Sequence, residues 1–205
     1  MGVAGTYALM TFATGALLLL GWLYVNIDNP RCAAILKKSA LLFLLPMLFW
    51  PGGLVLRLPL GVWIDGACEE GLKAFASTRE QNPKNKFWLV ALFGILELAV
   101  DKPFWGLVLA KSGESWDRLA MIGIVSATAL PVLMHTTTAA IYAFAFKDRI
   151  WAAFIASWVV HVTFNWSVDH FSTSVPLVTV QTVTLVIILA GILGQARQPL
   201  AQMAE

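Results

Sequence analysis

Charge is what this sequence has least of. Only 13% of its 205 residues are Asp, Glu, Lys or Arg against 59% hydrophobic, a balance that excludes the surface of an ordinary water-soluble domain. A formal net charge of +2 excludes the strongly basic balance that points to nucleic acid, so the positions of the basic residues matter more than their sum. Cysteine is scarce too. Cys32 and Cys68 are too few and too differently placed for a disulfide framework, and Cys68, beside Glu69, reads as a small buried residue. No lysine or arginine precedes the first apolar run and no small-residue cleavage site follows it, which reads as a retained helix and not a signal peptide. Internal repeats, low-complexity tracts and linkers are also missing, so residues 1–205 form a single transmembrane domain.

What remains is apolar segments, at about 6–27, 39–56, 60–77, 87–110, 119–146, 150–168 and 175–194. A hydrocarbon core of about 30 Å takes some 20 helical residues to cross, and the expected fold is an all-α polytopic bundle of seven transmembrane helices. Asn29-Pro30 ends the first segment, and Arg31, Lys37 and Lys38 form a basic loop after it. Pro51-Gly52-Gly53 breaks the second, and Arg79 to Lys86 reads as a loop. Alternating sides put Arg31, Lys37, Lys38, Arg79, Lys84, Lys86, Lys147, Arg149 and Arg197 on one face, leaving Arg57, Lys111 and Arg118 opposite. By the positive-inside rule the N-terminus lies outside and the C-terminus in the cytoplasm.

Glu69-Glu70-Gly71-Leu72-Lys73 interrupts the third segment. A carboxylate in lipid is costly unless paired, protonated or bound to a cation, which makes this stretch a functional-site hypothesis. The bland reading has Glu69 or Glu70 neutralised by Lys73 one turn along. Against it stand polar residues in three other segments. At 1.5 Å rise per residue, Glu69 lies ~12 to 13 Å from the cytoplasmic end of its helix, Glu97 ~15 Å, and His135 and His161 ~16 to 17 Å. They share one layer, which assigns the third to sixth segments (about 60–168) to a catalytic core.

Two neutral imidazoles and a carboxylate form a ligand set that zinc or another divalent cation accepts in hydrolytic sites, with a position left for water. Glu97, His135 and His161 supply it. Glu69 or Glu70 would then take the proton from water attacking a peptide carbonyl, and Asn165, one turn from His161, could donate to the developing oxyanion. Each residue also has a structural reading. Glu97 could pair with Lys102, Asp101 could be a ligand or a supporting group, Asn165 and the histidines could bridge helices, and Thr136, Thr137 and Thr138 could bond back to their own helix.

These residues resemble the PrsW-type intramembrane proteases, within the wider superfamily of CAAX-processing and bacteriocin-processing endopeptidases. Glu69-Glu70-x-x-Lys73 is similar to the family's first motif, Phe93-x-x-x-Glu97 to its second, His135 in a proline-containing helix to its third and His161-x-x-x-Asn165 to its fourth. The likeness covers about half of the chain. Glu97 stands where the prenyl-protein branch has histidine, which argues against CAAX substrates. The resemblance implies an intramembrane endopeptidase with a glutamate-activated water, metal-bound or metal-free, a membrane-anchored protein substrate such as an anti-sigma factor, and a prokaryotic plasma membrane location. A transporter or proton-coupled channel using the same buried Glu and His residues is the alternative, and a non-catalytic scaffold a further one.

Overall fold

The computed structural model describes residues 3–49, 61–101, 103, 121–146, 148–171 and 175–202. The break expected at Pro51-Gly52-Gly53, Arg57, the loop from Lys111 to Arg118, and Lys102 and Lys147 lie outside them. Seven α-helices and no strands are found among the described residues: α1 Val3–Val25, α2 Cys32–Phe49, α3 Gly61–Thr78, α4 Pro83–Leu96, α5 Met121–Ala140, α6 Ile150–Phe171 and α7 Val175–Gln202. Two π-helical turns follow α4 and α5 directly, Glu97–Asp101 and Ile141–Ala145.

Helix ends depart from expectation where polar residues suggested loops. Lys37 and Lys38 lie within α2, because no breaker separates Cys32 from Ser39 and lysine is a good helix former. Lys84, Asn85 and Lys86 belong to α4. Asn82 caps that helix by accepting from the backbone N–H groups of Lys84 at 2.9 Å and Asn85 at 3.2 Å, and Pro83 stands at its first turn, where a missing N–H costs nothing.

At the centre is α4, buried from Leu89 to Ile95. Its apolar residues run all round the axis, which suits a helix enclosed by neighbours. α2 and α5 pack against it, α3 packs on α6, and α7 on α5. Phe43 meets Phe93 edge-on with centroids 5.8 Å apart, and Trp158 of α6 donates its indole N–H to the Trp63 carbonyl of α3 at 3.0 Å. α1 crosses the first π turn at Gly15, where a Cβ would come within 2.6 Å of the Ala99 backbone. Only a residue without a side chain permits that approach.

Among the described residues two helices are long and apolar enough to cross a membrane, over Tyr7–Val25 and Pro176–Ala196, and a shorter apolar stretch covers Ala129–Ala145. Both long stretches expose large apolar side chains, among them Phe12, Leu17 and Leu20 on α1 and Val180, Val183 and Ile187 on α7. Apolar surface of that extent marks contact with lipid or another protein.

Candidate functional site

Four helices each bring polar side chains to one buried cluster. α3 contributes Glu69, Glu70 and Lys73, the first π turn Glu97, α5 His135 and α6 His161. Lys73 and Glu70 are wholly buried, and Lys73 Nζ donates to Glu70 Oε1 at 2.7 Å. So the local pairing that would neutralise α3 is present. The same ammonium also lies 3.0 Å from His135 Nδ1, 3.6 Å from Glu69 Oε2 and 4.6 Å from the centre of the Phe93 ring. A cation touching an acid, an imidazole and an aromatic face from three helices is a hub, a larger part than neutralising a glutamate of its own helix.

The partners fix the tautomers. Lys73 can only donate, so Nδ1 of His135 accepts, and its Nε2 carries the hydrogen and donates to Glu97 Oε2 at 2.6 Å. His161 is arranged the other way. Its Nδ1 donates to Glu70 Oε1 at 2.8 Å, and its Nε2 faces Glu69 Oε2, 3.7 Å away. The two rings stand edge to face with centroids 5.5 Å apart.

Glu69 and Glu70 are therefore unlike. Glu70 accepts from Lys73 and His161, and its backbone carbonyl accepts from the Tyr142 hydroxyl at 3.0 Å, which ties α3 to the second π turn. Glu69 remains 16% exposed, and its buried Oε2 has no hydrogen-bond partner. Each acid has one buried oxygen without a hydrogen bond. What separates them is that Glu70 holds two close donors on its other oxygen, whereas Glu69 meets Lys73 and His161 only at 3.6 and 3.7 Å and is partly exposed.

The backbone is shaped for this contact. Glu97 opens a π turn just before Pro103, a common place for a helix to absorb an extra residue and re-aim a side chain. At Gly94 a Cβ would lie 2.5 Å from Cβ and Cδ2 of His135, so glycine lets the imidazole rest directly on α4. We expect Gly94→Ala to cost about 1–3 kcal/mol through overpacking and to part His135 from Glu97. A melting temperature equal to wild type would refute that.

Of the residues expected from sequence, Glu69, Glu70, Lys73, Glu97, His135 and His161 come together. Asn165 is half-buried one turn after His161 and makes no hydrogen bond to the cluster. Asp101 ends the π turn that Glu97 begins and stands outside the group of close donors. Cys68 is exposed, a correction to the buried placement, since two residues from Glu70 is about 200° around a helix. Thr136, Thr137 and Thr138 bond back to Val132, Leu133 and His135 of their own helix. Tyr142 and Gly94 were missed, although Tyr142, seven residues after His135, lies on the same helical face.

The donors close enough to hold a metal ion are Glu69, Glu97 and His135, whose ligand atoms all lie within 4.8 Å of one another. His161 falls outside that group, held by Glu70 instead. Among the described residues three carboxylates face one ammonium here, and that balance, with a Glu69 oxygen that makes no hydrogen bond, suits a divalent cation. A cation at His135 Nε2 would move the imidazole hydrogen from Nε2, where it meets Glu97, to Nδ1, so Lys73 would give up its bond to that nitrogen.

Comparison of the chain with family models, with curated proteins and with solved structures finds no match, and function must be read from the cluster itself.

Proposed function

We propose that this protein is an intramembrane endopeptidase that hydrolyses a peptide bond of a membrane-anchored substrate, with Glu69 as the base that activates water. In this reading the seven helices form one membrane bundle with the N-terminus outside and the C-terminus in the cytoplasm. Arg31, in the α1–α2 connection, donates to Glu80, in the α3–α4 connection, at 3.3 Å, which supports placing those two basic connections on one side. The observation that carries the mechanism is the partly exposed Glu69 carboxylate, whose buried Oε2 makes no hydrogen bond and lies 3.7 Å from Nε2 of His161.

A water between Glu69 and His161 gives its proton to the Glu69 carboxylate as its oxygen adds to the peptide carbonyl carbon. The resulting oxyanion takes donors from the polar side of the cluster, with the Asn165 amide one turn beyond His161. Glu69 then returns the proton to the amide nitrogen as the C–N bond breaks, and the products are a carboxylic acid and an amine, which pass a proton between them to leave as carboxylate and ammonium. Lys73 and Glu70 hold His135 and His161 in their tautomers throughout. Surrounding helices keep bulk water away, so these charges act at a lower effective dielectric than at a surface.

Zinc or another divalent cation fits beside Glu97, His135 and Glu69, and when bound there it would lower the pKa of a coordinated water. Elemental analysis of purified protein is expected to find zinc in the wild type and little in His135→Ala. Equal zinc in both would remove the metal and leave the glutamate.

The test of the function is reconstitution. Purified protein in proteoliposomes should release new termini from an anchored peptide, and Glu69→Gln should not. Ion flux without cleavage would favour a transporter built on the same buried acids and histidines.

A further inference from the structure

Away from the cluster, a cleft of about 570 Å³ opens between the α1–α2 and α3–α4 connections, walled by Asn29, Arg31, Asn82, Lys84 and their neighbours. Its chemistry is one-sided. The Asn29 side-chain oxygen accepts from the Arg31 backbone N–H at 3.0 Å, and that of Asn82 accepts from the N–H groups of Lys84 and Asn85. With their oxygens turned to the backbone, both amides keep their NH₂ groups for other partners. The neighbouring carboxylate, Glu80, directs its Oε1 to these same groups, accepting there from Arg31 at 3.3 Å and from the Asn82 N–H at 3.2 Å. Arg31 remains 63% exposed, and Lys84 makes no ion pair among the described residues. The cleft therefore offers a guanidinium, an ammonium and carboxamide N–H groups, while the side-chain oxygens of Asn29 and Asn82 and one oxygen of Glu80 are already engaged. Such a wall suits a compact anion with several oxygens, above all a phosphate.

Position selects the source of that phosphate. The cleft lies just beyond the end of α1, one of the two helices able to cross a membrane, and Tyr24, Val25 and Ile27 leading to it are each more than 70% exposed. Apolar side chains below a ring of donors match the division of a phospholipid into acyl chain and headgroup. We infer that this cleft binds the phosphodiester headgroup of an anionic phospholipid at the membrane surface. The inference rests on the membrane placement and is independent of proteolysis.

Native mass spectrometry of the full chain, presented with phosphatidylglycerol, phosphatidylcholine or inorganic phosphate, tests it. Wild type should retain phosphatidylglycerol over phosphatidylcholine. Lys84→Gln, which breaks no ion pair, should weaken that retention several-fold, and Arg31→Gln with Lys84→Gln at least about tenfold. The charge-matched control Lys37→Gln with Lys38→Gln, outside the cleft, should change it less than about twofold, with helicity by circular dichroism alike in all. Equal loss in the control would overturn the site by reducing it to bulk charge. Equal retention of both lipids would overturn the recognition of anionic headgroups. Saturation by inorganic phosphate at the concentration at which the lipid binds would overturn the lipid assignment.

Discussion

Glu69→Gln is expected to lower turnover of an anchored peptide by about 10²–10⁴-fold, the usual contribution of a general base, with folding unchanged. The amide keeps the size and shape of the carboxylate but cannot take a proton from water. It also disturbs little, since the buried Glu69 oxygen has no hydrogen bond to lose and its contact with Lys73 is a loose 3.6 Å. Glu70→Gln should behave in the opposite way. It removes the charge that Lys73 meets at 2.7 Å and that His161 meets at 2.8 Å, at a wholly buried position. Loss of thermal stability should therefore dominate there, and activity should fall with the folded fraction. The pair of variants separates base from brace. Full turnover in Glu69→Gln, or an equal drop in melting temperature for the two, would end the assignment of Glu69 as base.

The helices were legible because long apolar runs leave the backbone no other way to satisfy its own polar groups. Their ends were less so. Charged residues read as loop at Lys37, Lys38 and Lys84 are helical, because propensity and the Asn82-Pro83 cap outweigh polarity at a helix end. Depth along each helix brought Glu69, Glu97, His135 and His161 to one layer, and the structure joins them. What rise per residue cannot supply is rotation about the axis. That is why His161 is found on Glu70, leaving Glu69 with Glu97 and His135 as the close donor group. Nor does an i→i+5 turn announce itself in sequence, so the π turn that aims Glu97 was invisible, with Pro103 downstream as its one trace. The self-neutralising pair on α3 and the functional cluster were opposed readings of one lysine. In the structure they coexist, since Lys73 reaches Glu70 three residues away and His135 sixty-two residues away at once.

Lys73→Met carries the largest expected effect on stability. It deletes the only lysine of the cluster among the described residues and leaves Glu70 buried with His161 as its remaining side-chain partner there. Removing one member of a buried ion pair costs about 3–5 kcal/mol, much of the 5–15 kcal/mol that holds a typical domain together. His135 loses its donor in the same step, so its ring is free to exchange tautomers and its bond to Glu97 weakens. Adding Glu70→Gln removes the stranded charge while its side-chain oxygen can still accept from His161. The double variant should therefore be less destabilised than the two single variants added together, and by more than the roughly 0.3–0.5 kcal/mol within which independent sites agree. A thermal or denaturant titration of all four proteins in one detergent measures this coupling. If Lys73→Met melts with wild type, or if the costs simply add, the buried pair is not what binds α3 to the rest of the cluster, and the hub assigned to Lys73 is wrong.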